Sequence, residues 1–122
     1  RDTPLLHSAK ALLISAFPSR DLGVVTQFLG MAVTLAPGSV KLTQTKTIDS
    51  LLQTYGLDSA KPVSAPMSPS LPLTRETAAL DPEYDYRSLI GSLLYLSICT
   101  RPDIAQAVGA LARYMAQPTA VH

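Results

Sequence analysis

The chain contains no tryptophan and a single cysteine, Cys99. One thiol excludes an internal disulfide and fits a reducing compartment or indifference to redox. Charge is also scarce, with ten basic and nine acidic side chains leaving a net charge of +1. That balance excludes the cationic profile with which whole domains hold nucleic acid, so any phosphate contact must be local. No apolar stretch approaches the roughly 20 residues that cross a bilayer. The longest, Leu89 to Cys99, is interrupted by Gly91 and Ser92. No signal-peptide pattern opens the chain, and a soluble intracellular protein without membrane contact is expected.

Chemistry-bearing side chains are thin as well. His7, His122 and Cys99 are too few and too dispersed for a zinc site. Neither a serine–histidine–acid grouping nor a glycine-rich phosphate loop occurs. The acids are Asp2, Asp21, Asp49, Asp58, Glu76, Asp81, Glu83, Asp85 and Asp103, and no two aspartates are adjacent. Asp81, Glu83 and Asp85 lie closest together, but acids in a first helical turn complement the helix dipole without any metal. Arg101 and Asp103 read as a cap and a local ion pair. Lys41 and Lys46 read as solvated.

What remains is a globular composition, 47% hydrophobic over 122 residues. It allows one domain or parts of two. Leu5, Leu6, Ala9, Leu12, Leu13 and Phe17 fall at helical spacing, and Pro18 and Asp21-Leu22-Gly23 end that helix. From Val25 the period becomes two. Val25, Leu29, Met31, Val33 and Leu35 form one strand face, Pro37-Gly38 turns, and Val40 and Leu42 return, predicting a β-hairpin with one buried side. A second helix with Thr43 or Thr45 as N-cap carries Ile48, Leu51, Leu52 and Tyr55, and Gly56 suits its left-handed end. Residues 58–82, with Pro62, Pro66, Pro69, Pro72 and Pro82, read as an extended linker.

Two helices close the chain. Asp81-Pro82 is an N-terminal signal for the first, with Tyr86, Leu89, Ile90 and Leu93 on one face. Ser88, Gly91 and Ser92 form a small-residue strip beside it. Thr100-Arg101-Pro102-Asp103 has the capping-box pattern for the second, whose stripe of Ile104, Ala107, Val108, Leu111 and Met115 runs to Pro118. The fold class is therefore α+β: a β-hairpin, about four helices and a helical hairpin at the end.

Phe28-Leu29-Gly30-Met31, Leu42-Thr43-Gln44, Leu51 to Leu57, the run Tyr86 to Leu96, and Thr100 to Ile104 together resemble the Ty1/copia-type retrotransposon reverse transcriptase family. The order and spacing of these pieces agree over most of the chain. The resemblance implies the end of a palm and start of a thumb over residues 1–57, a linker over 58–82, and a helical connection over 83–122. It makes Phe28, Leu29, Gly30 and Met31 primer-grip-like, with Gly30 letting another chain approach closely. It also implies a parent RNA-directed DNA polymerase with magnesium and a template–primer duplex. The family's paired aspartates, which would precede Arg1, are not in this sequence, and metal-assisted nucleotide transfer needs such clustered carboxylates. Hence no catalytic, cofactor or metal residue is expected here, and the chain is expected not to be an enzyme alone. Partners would be a missing upstream polymerase half and a downstream ribonuclease H domain, with weak or no duplex contact. The rivals are a small interaction module working through the Tyr86 to Met115 hairpin and a decayed remnant.

Overall fold

The computed structural model describes residues 3–74 and 78–122. Among them are four α-helices and one three-stranded sheet, so the chain is α+β. Contacts divide it into two compact units, Arg1–Lys41 and Leu42–His122.

The first unit opens with α1 (Pro4–Ala16), started by the Thr3 side chain accepting from the Leu6 N–H, with proline in the first turn. Phe17 ends it, as the Pro18 signal requires. The expected apolar stripe is present, yet no residue of α1 is buried: Leu5, Leu12 and Leu13 all stand open.

The strand region departs from expectation. Alternation predicts one long strand through Val25 to Leu35. Instead β1 (Gln27–Phe28) turns back at once into β2 (Met31–Ala36), with Phe28 opposite Met31 and Gln27 opposite Ala32. The cause is backbone conformation at Leu29 (φ 47°) and Gly30 (φ 74°). Two successive positive φ values form the two-residue turn that matches strand twist. β3 (Ser39–Thr43) follows Pro37-Gly38, where Gly38 has φ 77°, as a type II turn demands of its third residue. The sheet is a meander ordered β1-β2-β3 rather than a single hairpin. Its buried face is also smaller than expected, because Met31 is buried whereas Leu35, Val40 and Leu42 are exposed.

In the second unit, α2 (Thr45–Thr54) is capped by neither threonine; Gln44 occupies the N-cap and makes no side-chain cap bond. Its far end matches the glycine signal. Gly56 has φ 65°, its N–H donates to the Gln53 carbonyl, and the Leu57 N–H donates to that of Leu52 at 2.7 Å. This pair of bonds is the Schellman closure.

Helix α3 (Tyr86–Cys99) begins later than Asp81-Pro82 implies. Asp81 instead closes a turn, accepting from the Glu83 N–H, and Asp85 becomes the cap by accepting from the Ser88 N–H at 3.0 Å. The acids thus precede the first helical turn instead of occupying it. Asp85→Ala is expected to cost about 1 kcal/mol of stability, measured by urea unfolding, whereas Asp81→Ala leaves the helix start intact.

A 3-10 turn (Pro102–Ile104) leads into α4 (Ala105–Ala112), which packs on α3. The capping box does not form. Thr100 ends α3 instead, and α4 stops well before Pro118 because residues 113–116 form turns. The core is Tyr86, Ile90 and Leu96 from α3 with Ala107, Val108 and Ala110 from α4. Small residues on α4 let the two helices approach closely, and the Tyr86 hydroxyl donates to the Leu111 carbonyl at 3.0 Å. Burial pushes the Tyr86 phenol above its ordinary value.

Among its described residues the proline-rich stretch has no helix, and its last residues do not run free. Ala79 bridges Thr119 antiparallel, the Ala120 N–H donates to the Ala78 carbonyl, and the Leu80 N–H donates to that of Pro118. Among the described residues, no helix is long and apolar enough to cross a membrane.

Candidate functional site

The four residues singled out from the sequence form one local feature, the β1–β2 turn. Phe28 ends β1 and Leu29 takes the first corner; they are 57% and 67% exposed, so the tip presents an aromatic and an aliphatic group to solvent. Gly30 takes the second corner and Met31, at the start of β2, points into the unit. The backbone gives Gly30 a second rationale beside close approach of another chain. Nothing lies within 4 Å of where its Cβ would stand, so the need for glycine comes from its positive φ. No Lys or Arg lies in the turn, so its chemistry suits apolar contact and stacking rather than phosphate pairing.

Lys41 is exposed on β3 and Lys46 is exposed on α2. Elsewhere in the first unit, Lys10 pairs with Asp21 at 2.9 Å. The Gly23 N–H and then Lys10 hold the Asp21 carboxyl below the usual carboxylate range.

The acids are distributed among local duties. Asp81 and Asp85 accept backbone N–H groups, and Asp103 receives a two-pronged contact from Arg101, with the closest pair at 2.7 Å. Arg101 holds the Asp103 carboxyl below its ordinary range. Among the described residues no group of three or more His, Cys, Asp or Glu side chains could hold a metal ion. Asp2 and Glu76 lie outside the described residues. The described donor set does not fit the magnesium pair that the resemblance implies for the parent polymerase.

Three features carried little sequence signal. The buried Gln44 accepts from the Thr100 hydroxyl at 2.7 Å, tying the start of α2 to the end of α3, while its Nε2 is buried without a partner. Thr100 had advertised itself as a cap, and nothing in local spacing pairs it with a residue 56 positions away. Beyond that tie, α2 and α3 enclose an apolar cavity of about 490 Å³, lined by Leu51, Leu52 and Tyr55 on one side and Leu89, Leu93 and Leu96 on the other. At the end of the chain, Tyr114 and His122 stack with ring centroids 3.9 Å apart.

Comparison with known proteins adds a full-length match. The chain is 36% identical over 131 residues to the retrovirus-related Pol polyprotein from transposon TNT 1-94 of Nicotiana tabacum, covering all of this chain and 10% of that protein. It is 39% identical over 123 residues to the retrovirus-related Pol polyprotein from transposon RE1 of Arabidopsis thaliana, covering 99% of this chain and 8% of the relative. The uncharacterized mitochondrial protein AtMg00810 of Arabidopsis thaliana is 38% identical over 115 residues, covering 94% of this chain and 48% of its own length. The chain thus spans from under a tenth to about half the length of these relatives. No family model matches it. No solved structure matches it either.

Proposed function

Because the chain belongs along its length with the Pol polyproteins of Ty1/copia-type retrotransposons, we propose that it is the reverse-transcriptase region following the catalytic aspartates, and that alone it performs no nucleotide transfer. The observation that carries this reading is the exposed tight turn Phe28-Leu29-Gly30-Met31, placed ahead of α2 in the order the resemblance implies. In the intact polymerase the turn would hold the primer end by shape. Phe28 and Leu29 would supply apolar contact to sugar and base. The two positive-φ corners would fix the direction in which they project.

Chemistry limits what this chain contributes. Its adjacent residues supply no carboxylate pair, and Asp21, Asp81, Asp85 and Asp103 are engaged in turns, a helix cap and ion pairs. Metal ions for phosphoryl transfer would therefore be held by residues preceding this region in the parent polyprotein. The purified chain, given a labelled template–primer, nucleotides and magnesium, is expected to extend nothing. Magnesium-dependent extension would overturn the proposal.

A further inference from the structure

We propose that α1 of one copy docks into the groove between α2 and α3 of a second copy, so that two chains exchange helices in a closed dimer. Two features that the turn at residues 28–31 does not use meet in this pairing. The first is the helix. α1 runs 13 residues and buries none of them, with Leu5 79%, Leu12 70% and Leu13 59% exposed. A helix of that length is marginal in water unless its apolar stripe is packed. Leu5, Ala9 and Leu12 stand at the i, i+4, i+7 spacing with which an amphipathic helix enters an apolar groove, and Leu13 widens the stripe.

The second is the groove, which lies wholly within the Leu42–His122 unit. Gln44 and Thr100 tie the start of α2 to the end of α3, and beyond the tie the walls stand apart around about 490 Å³. Each wall is a ridge at one-turn spacing, with Ile48, Leu51 and Tyr55 on α2 and Leu89, Leu93 and Leu96 on α3. Both ridges span i to i+7, about two helical turns. A third ridge of the same pitch, carried by a helix, fits between them and supplies the contacts that close packing normally gives. Every copy offers one such helix for every such groove. Charge agrees with the pairing. α1 carries no carboxylate, whereas Asp49, Asp58 and Glu83 adjoin the lining residues Ile48, Leu57 and Tyr84 in sequence. These three acids belong to neither of the ion pairs found among the described residues, so the incoming helix meets no like charge there. Exchange doubles the area that one contact buries, which favours the closed pair, since stable interfaces need roughly 1,200–2,000 Å².

Analytical ultracentrifugation of the whole chain tests this, with a concentration-dependent dimer expected between about 1 μM and about 1 mM. A monomer throughout that range, or growth beyond the dimer, overturns the proposal. Leu12→Glu disables the helix and Leu52→Glu the groove, and circular dichroism verifies that each chain stays folded. Each substitution is expected to weaken dimerisation by about tenfold or more, because it brings a charge into an apolar contact. Dimerisation that neither substitution moves sinks the idea. Should Leu52→Glu unfold, Leu57→Glu takes its place, since Leu57 lines the groove and is 51% exposed. Mixing the two variants restores one contact, because the groove variant keeps a working helix and the Leu12→Glu copy keeps a working groove. With only the Leu12→Glu copy methyl-labelled, NMR should show Leu89 and Leu93 shifting as the unlabelled groove variant is added. The exposed Ile98 of α3 should stay unmoved. Shifts at Ile98 alone, or at no methyl, refute the exchange.

Discussion

Ile90→Ala is expected to lower the unfolding free energy by about 3 kcal/mol, seen as a lower urea midpoint with an unchanged slope. Ile90 is 1% exposed, the most completely buried large side chain among the described residues. It sits one turn beyond Tyr86 on the face of α3 that meets α4. Truncation removes the transfer free energy of its methyl and methylene groups and leaves a void. The buried small residues of α4, Ala107 and Ala110, have no longer side chain that could swing inward to fill that void. Ile98 supplies the control on the same helix, because it is 80% exposed. Ile98→Ala should change stability by less than about 0.5 kcal/mol. Equal effects at the two positions would mean that α3 does not bury the face assigned to it.

Helix faces were legible because a period of 3.6 is a long-range regularity that several residues vote on together. Tyr86 and Ile90 were marked as core by spacing alone, and Gly56 was marked as a left-handed closure by its position after Tyr55. Starts were harder to read. Asp81, Asp85, Thr43 and Thr45 all belong to the residue types that cap helices, and the choice between neighbouring candidates depends on how the incoming chain approaches. Asp85 wins over Asp81 because a turn closed on Asp81 comes first. The sheet shows a different failure. Alternation through Leu29 satisfied the strand template, and no side chain announced that a leucine would adopt positive φ. The contact between Gln44 and Thr100, and the contacts of Thr119 with Thr74 and Ala79, are non-local. No sequence window contains both partners. The turn residues proposed as the site were picked out as a segment by resemblance, while the positive φ at Gly30 became visible only in the backbone.

Gly30→Val is expected to destabilise the β1–β2 hairpin by about 2 kcal/mol, because a β-branched residue strongly disfavours the left-handed region. With open space around the Cβ position, the loss is purely conformational and cannot be blamed on a clash. Leu29 already carries strain of the same kind at φ 47°, so Leu29→Gly or Leu29→Asn should move stability the other way by about 0.5–1 kcal/mol. Exchange protection of the Val33 N–H, which donates to the Thr26 carbonyl at 2.9 Å just beyond the turn, reports both changes locally. Opposite signs at adjacent positions are what two positive-φ corners require; destabilisation by all three substitutions would show that Leu29 is held by its side chain instead. The same pair tests what the turn is for. When this chain replaces its matched region in a full-length Pol polyprotein such as that of RE1, Gly30→Val should reduce primer extension at least about tenfold, since about 1.4 kcal/mol of lost positioning already corresponds to that factor. Leu29→Gly, which relaxes the backbone but deletes the exposed aliphatic group, should also reduce extension while raising stability. That separation would show the tip acting through contact. Extension that tracks stability in both variants would reduce the turn to a structural corner.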